Sequence, residues 1–153
     1  MKLWRLTRTP YVALDGAGAV LNGARYAPAG VAVVSLASDA ALAVLIALRY
    51  QSLDLEGLPN DFVLGWTEVE AVPERVPDDG SEDAIRAWVG EWLESRLSLL
   101  AAVSSRVLPE GDVVLLNPRH PAAASVAPLT TRPFSFAECL HRPPMLDNYR
   151  RLA

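Results

Sequence analysis

Hydrophobic and polar residues alternate with a period of two at the start of the chain. In Leu3-Trp4-Arg5-Leu6 every second side chain falls on the same face, which predicts an N-terminal strand. If Trp4 and Leu6 face the core, Arg5 points to the opposite side, where it can line a cleft.

A longer stretch, residues 22–50, predicts a turn, a strand and a helix in succession. The turn contains a glycine and Arg25, and residues 31–35 form a β-branched run that is typical of an interior strand. Ser38 and Asp39 then supply a helix cap and a first-turn acid before an Ala/Leu/Ile series. Such an arrangement brings polar groups to one end of a hydrophobic unit.

The second half of the chain contains the clearest helical pattern. After Ser81, apolar residues recur at the 3.6-residue spacing of one buried face, and two acids occupy the first turn. Two tryptophans on this face indicate core packing rather than a substrate platform. Other segments predict a loop at 15–23, a strand at 61–72, a surface loop at 73–80, strands at 103–108 and 113–116, and one further strand within 127–136.

These strands and helices do not alternate regularly, so the sequence predicts an α+β domain. We expect a mixed, largely antiparallel central sheet with flanking helices. The length of 153 residues fits a single domain over residues 1–153, with a proline-rich C-terminal tail from about residue 142.

Composition and charge argue against several classes of function. Hydrophobic residues make up 51% of the chain and charged residues 21%, which is typical of a globular protein. The formal net charge of −4 argues against nucleic acid as a direct partner. The longest apolar run is too short to span a bilayer and no signal peptide is visible, so we expect a cytoplasmic protein without membrane contact.

The residues leave few options for chemistry. Cys139 is the only cysteine and the two histidines belong to no spaced group, so no metal site is predicted. Gly16-Ala17-Gly18 lacks the third glycine and the preceding strand of a dinucleotide fingerprint, and no Gly-x-Ser-x-Gly elbow occurs. An arginine-based anion site remains. Arg5 and Arg25 on one cleft would suit a phosphate or pyrophosphate, and the serine pair 104–105, placed at the beginning of a strand, adds hydroxyl donors.

Several segments, in the same order and spacing, carry a resemblance to a known family. The most specific is an Asn-Pro-Arg-His-Pro run that follows an apolar strand. Together the segments resemble the RES domain, the toxin component of bacterial toxin–antitoxin systems whose partner is an Xre-type helix-turn-helix antitoxin. The segments are Leu3-Trp4-Arg5, Gly23-Ala24-Arg25-Tyr26, residues 30–50, Val103-Ser104-Ser105 and Leu115-Leu116-Asn117-Pro118-Arg119-His120-Pro121.

The resemblance implies an ADP-ribosyltransferase-like fold that acts on NAD+, as a substrate or ligand and not as a cofactor. Family members cleave the nicotinamide–ribose bond by hydrolysis or phosphorolysis, or transfer ADP-ribose to a protein. The resemblance also implies that Arg5 and Arg25 contact the phosphates or ribose, that Arg25 takes part in catalysis, and that Ser105 helps to hold the nicotinamide side. A homodimer is left open.

Two family positions differ in this chain. The tyrosine at the end of the strand is Ser35, and the glutamate of the following helix is Ile46, which is not expected to be functional. The turn also carries Ala24 for a glycine and Tyr26 for a tryptophan. Because a carboxylate stabilises the positive charge that develops on the ribose, losing such a group typically costs about 10²–10³ in rate.

Two hypotheses follow from this half-kept pattern. In the first, the protein still turns over NAD+, and Ser35 does part of the work of the tyrosine. In the second, it is a catalytically degenerate family member that binds the antitoxin or a nucleotide without turnover. A family resemblance does not decide between them when the site itself differs.

Overall fold

The computed structural model describes residues 1–51 and 57–141 of the chain. The proline-rich tail predicted from about residue 142 lies outside the described residues. In the described part the strands are β1 (Lys2–Arg8), β2 (Val34–Ala37), β3 (Phe62–Glu68), β4 (Glu74–Arg75), β5 (Leu100–Ser104), β6 (Asp112–Leu116) and β7 (Thr130–Pro133). The helices are α1 (Ala17–Asn22), α2 (Ala40–Leu48), α3 (Glu82–Ser95) and α4 (Phe136–Cys139).

The strands of the described part form one sheet in the order β4-β5-β6-β2-β1-β3-β7. Of its strand pairs, β4 with β5 is parallel, and the other pairs are antiparallel. The prediction of an α+β fold with a mixed, largely antiparallel sheet is confirmed. Within residues 1–51 and 57–141, no helix has the length and apolar character needed to cross a membrane.

Helix α3 covers one face of the sheet, as its spacing predicts. It begins at Ser81, whose hydroxyl oxygen accepts a hydrogen bond from the backbone N–H of Ala84 at 3.2 Å. Its apolar stripe packs against Ala101, Val103 and Leu115 of β5 and β6. The buried residues of the stripe are Ile85, Val89, Trp92 and Leu93.

Two further clusters complete the core. On the other face of the sheet, Leu3, Leu100 and Leu116 are fully buried beneath the segment that follows β6. Helix α2 packs through Leu42 and Ala43 against β2 and β3. These contacts hold β1, β2 and α2 together, and the candidate site lies on this part of the fold.

The prediction of a loop at 15–23 is wrong, because most of this segment forms helix α1, Ala17–Asn22. Gly16 and Gly23 stand at the two ends of this helix with φ of 75° and 77°. They supply the left-handed backbone that side-chain-bearing residues rarely adopt. A Cβ on Gly16 would lie 2.7 Å from the backbone nitrogen of Val33, so the helix start also packs closely on the chain before β2.

Other boundaries also differ from the predictions. The strand predicted at 31–35 begins later, as Val34–Ala37, and the strand predicted at 103–108 is Leu100–Ser104. The surface loop predicted at 73–80 contains β4, which pairs with Ala101 and Ala102 of β5. The strands predicted at 61–72, at 113–116 and within 127–136 correspond to β3, β6 and β7.

Candidate active site

Two cavities of about 420 and 1080 Å³ lie side by side next to the strands β1, β2 and β6. We term them the small cavity and the large cavity. They have part of their lining in common, so together they form one continuous candidate cleft. This shared wall consists of Asn22, Gly23, Ala24, Ser35, Ile46, Tyr50 and Val113.

Five of the residues that the sequence singled out line these cavities, whereas Ser104, the other member of the serine pair, lines neither. Arg5 lines the small cavity, and Arg25 and Ser105 line the large one. Ser35 and Ile46 belong to the shared wall. The fold thus brings together side chains from five separate segments, while their roles in binding and catalysis stay predictions.

Arg5 is half-buried on β1, and its Nη1 donates a hydrogen bond to the carbonyl oxygen of Tyr11 at 3.0 Å. Burial lowers the pKa of Arg5, and the carboxylate of Asp15 acts in the opposite direction. The guanidinium nonetheless remains a cation at neutral pH. Trp4 and Leu6 are half-buried and pack in the cluster of α2, whereas the fully buried Leu3 shares its face of β1 with Arg5. Trp4 and Leu6 also border the same cavity as Arg5, so the cavity does not lie on the Arg5 face alone.

Arg25 is held by α3 from two directions. Its Nε donates to Oε1 of Glu82 at 2.9 Å, and the Nε of Arg86 donates to the carbonyl oxygen of Arg25 at 2.8 Å. The bond to Glu82 uses Nε, so it does not compete with a ligand for the two terminal nitrogens. Burial alone would lower the pKa of Arg25, but Tyr26 and Glu82 outweigh burial and raise it.

Ser35 and Ile46, which differ from the family pattern, give the shared wall few groups that could take part in catalysis. Ser35 is exposed while the other residues of β2 are buried, so it borders the cleft with only a short hydroxyl. Ile46 is half-buried on α2. Among the described residues, Glu94 is the one carboxylate that lines either cavity, and it pairs with Arg119 at 3.3 Å. In that part of the chain, no group of His, Cys, Asp and Glu residues could hold a metal ion.

Ser105 lies after the end of β5, and not at the beginning of a strand as the sequence suggested. Its hydroxyl oxygen accepts hydrogen bonds from the backbone N–H groups of Val107 and Leu108, at 3.1 and 3.3 Å. This turn ends β5 and explains why the predicted strand is displaced. Since the oxygen is used in the turn, only the hydroxyl proton of Ser105 is left to donate to a ligand.

The sequence reasoning missed most of the cationic lining. Within residues 1–51 and 57–141, six arginines line the two cavities, although the whole chain has a net charge of −4. Carboxylates partly neutralise four of them. Glu82 pairs with Arg86 at 3.8 Å and with Arg25 at 2.9 Å, Asp61 pairs with Arg8 at 2.8 Å, and Asp78 pairs with Arg106 at 3.2 Å. The spacing of Glu82 and Arg86 on one helix gave a signal for the first of these pairs. The six are Arg5, Arg8, Arg25, Arg49, Arg86 and Arg106.

The Asn-Pro-Arg-His-Pro segment, by contrast, lines neither cavity. Asn117 is fully buried, and its Nδ2 donates to the carbonyl oxygen of Leu93 at 3.0 Å while its Oδ1 accepts from the backbone N–H of Arg119 at 3.0 Å. His120 accepts from the backbone N–H of Ala122 through Nδ1 at 3.1 Å. The most specific motif of the resemblance therefore fastens the end of β6 to α3.

Comparisons with known proteins identify the family of this chain. The model of the RES domain matches residues 2–137. A "Prs ADP-ribosylating toxin" of Sphingobium sp. (strain YBL2) is 35% identical, with 74% of this chain and 77% of the relative covered. Two proteins named "Toxin Res" are also similar. The protein of Yersinia enterocolitica is 32% identical, with 90% of this chain and 96% of the relative covered. The protein of Pseudomonas putida is 30% identical, with 82% of this chain and 90% of the relative covered. The chain therefore belongs to the RES domain family.

Proposed function

We propose that this protein is the toxin of a bacterial toxin–antitoxin system and that it binds NAD+ in the two joined cavities. It cleaves the nicotinamide–ribose bond in the cytoplasm and is neutralised by an Xre-type antitoxin. The observation that carries the proposal is the concentration of six arginines around one cleft in a chain of net negative charge. The names of its relatives support toxicity in all three cases and ADP-ribosyl chemistry in one.

Each half of the cleft has a defined part in this reaction. The terminal nitrogens of Arg25 and the guanidinium of Arg5 bind the pyrophosphate and ribose, because a guanidinium donates two parallel hydrogen bonds to such groups. The bond between the ribose C1′ and the nicotinamide nitrogen then breaks, and its electron pair leaves with nicotinamide. In hydrolysis, water adds to C1′ and loses a proton. In phosphorolysis inorganic phosphate adds to C1′ instead of water, and in ADP-ribosyl transfer a protein side chain does.

The electrostatics of the shared wall favour a slow reaction. Positive charge develops on the ribose in the transition state, and a preorganised carboxylate is the group that stabilises it best. Ile46 offers neither a charge nor a hydrogen bond. Catalysis then depends on the binding and orientation of NAD+, to which the hydroxyl of Ser35 contributes.

A second candidate function follows from the same wall. With an aliphatic side chain at residue 46 and a short hydroxyl at residue 35, the cleft suits binding better than turnover. In this case the protein binds a nucleotide or the antitoxin and acts through that complex.

Incubation of the purified protein with NAD+, with and without inorganic phosphate, tests both candidates. Loss of NAD+ that is abolished in Arg25→Ala supports the enzyme, whereas binding of NAD+ without turnover supports the second candidate. Arg75→Ala is the matched control, because Arg75 pairs with Asp112 at 2.7 Å and lines neither cavity. If millimolar NAD+ is neither bound nor consumed, the dinucleotide site is refuted.

A further inference from the structure

Tyr50 is an exposed aromatic residue that lines both cavities. It follows the C-terminal end of α2, where its backbone N–H donates to the carbonyl oxygen of Ala47 at 3.1 Å. Among the described residues, it is the one aromatic side chain in the shared wall, and 63% of its surface is exposed. A large ring with this exposure has a face available for a planar ligand.

The rest of the shared wall leaves room beside this ring. Its other members are small or aliphatic apart from Asn22, and Ser35 has the short side chain that faces the cleft. Tyr50 stands four residues after Ile46, about one helical turn further along. Its phenol also lies close enough to Arg25 to influence the pKa of that residue, after the larger effects of burial, Tyr26 and Glu82.

Charge distinguishes the shared wall from the remainder of the cleft. The arginines line one cavity or the other, and in the described part of the chain the shared wall has no arginine and no carboxylate. The pyridinium ring of NAD+ carries a positive charge, so the arginine-lined regions repel it and attract the phosphates. The face of a tyrosine ring, in contrast, attracts a flat cation.

We propose that Tyr50 stacks on the nicotinamide ring of NAD+ and positions it at the junction of the two cavities. The inference rests on the proposed function and extends it by assigning the nicotinamide ring to the shared wall. Once the ribose bond is broken, nicotinamide is neutral and its attraction to the ring face falls, which favours release of the product. Tyr50 thus acts as a positioning residue that distinguishes the charged substrate from the neutral product.

Binding constants for NAD+ and for ADP-ribose, which lacks the nicotinamide ring, test this role. Stacking of an aromatic side chain on one base is worth about 1–3 kcal/mol, so Tyr50→Ala is expected to weaken NAD+ binding by about 5- to 150-fold. ADP-ribose affinity is expected to change less than about twofold, because the pyrophosphate contacts are kept. Tyr50→Phe retains the ring and is expected to bind NAD+ nearly as the wild type does.

The outcomes separate the two levels of the proposal. If Tyr50→Ala weakens both ligands equally, or weakens neither, the stacking role is refuted while the NAD+ site stands. If the wild-type protein binds neither ligand, the proposed function itself is refuted. Val72→Ala is the control for a general effect on the fold, since Val72 is 92% exposed and lines neither cavity.

Discussion

The Nε atom of Arg25 lies 2.9 Å from Oε1 of Glu82, and this bond joins the turn after α1 to the first turn of α3. Arg86 stands one helical turn further on and donates to the carbonyl oxygen of Arg25. Side chain and backbone of Arg25 are therefore both fixed by one helix. This double contact orients the guanidinium before a ligand arrives, which reduces the entropy lost on binding.

Glu82→Ala is expected to weaken NAD+ binding by about 3- to 10-fold, because Arg25 regains its rotamer freedom. Both partners are partly exposed, so the free energy of unfolding is expected to change by less than about 1 kcal/mol. Calorimetric titration with NAD+ and urea denaturation measure the two effects. Asp112→Ala removes the Arg75 pair without touching a cavity and should leave binding unchanged. Equal losses in both variants would contradict the orienting role of Glu82.

Ile46→Glu is expected to raise the rate of NAD+ loss by about 10²-fold, because it places a carboxylate in the shared wall. The matched control is Ile46→Gln, which has nearly the same shape without the charge. Both variants introduce a polar group at a half-buried position, so both should lose some stability. The rate is followed as NAD+ consumed at saturation. If the rate of NAD+ loss rises equally in both variants, the negative charge of the glutamate is not the cause of the increase.

Asn117→Ala is expected to lower the free energy of unfolding by about 2–4 kcal/mol, because two hydrogen bonds are lost in a buried site. The carbonyl oxygen of Leu93 would then be left without its partner. Urea denaturation measures the change. NAD+ affinity of the folded variant is expected to match the wild type, since residue 117 lines neither cavity. A large loss of affinity in folded protein would place the motif in the site after all.

Substitution by alanine is expected to have opposite effects on stability at two glycines, Gly16 and Gly90. Gly16→Ala is expected to destabilise the fold by about 1–3 kcal/mol, because φ is 75° and the new Cβ would lie 2.7 Å from the backbone nitrogen of Val33. Gly90→Ala in α3 meets no atom within 4 Å and should stabilise the fold by about 0.5–1 kcal/mol. Thermal unfolding measures both. A destabilising Gly90→Ala would reveal a contact that the packing does not show.

Stability should depend on pH through Asp61. Hydrogen bonds from Arg8, at 2.8 and 3.0 Å, hold the pKa of Asp61 below its ordinary value of 3.8. A carboxylate with a depressed pKa stabilises the fold above its unfolded-state pKa, and this contribution is lost as the pH falls through the folded-state value. The difference in melting temperature between wild type and Asp61→Asn should therefore narrow as the pH falls below 3.8, and not in the range above it. A constant difference would contradict the pairing.

The sequence predicts well those elements whose local pattern agrees with their packing. The spacing of apolar residues after Ser81 identifies α3, and Asp39 caps α2 by accepting from the backbone N–H of Leu42 at 2.8 Å. Helix α1 escapes prediction because its flanking glycines resemble a loop, although they serve as helix ends. The end of β5 escapes too, since the turn is made by a hydroxyl whose bonds leave no trace in the hydrophobic pattern.

The candidate site also contains residues that the sequence predicts and residues that it does not. Arg5, Arg25 and Ser105 are predicted from the residues themselves as an anion site, and Ser35 and Ile46 only from the family resemblance. The fold brings all five to one cleft. The remaining cationic lining comes from several elements, and only packing makes those side chains neighbours. No local pattern shows that they converge, because surface arginines and cleft arginines have the same sequence signature.

Because β1 lies inside the sheet, between β2 and β3, Arg5 reaches the cleft from a strand that is paired on both sides. The candidate cleft is therefore complete only when β1 is paired in the sheet. A bound dinucleotide should slow hydrogen exchange across the central strands, and not merely in the surrounding turns. Any partner that prevents β1 from entering the sheet would silence the cleft without touching it.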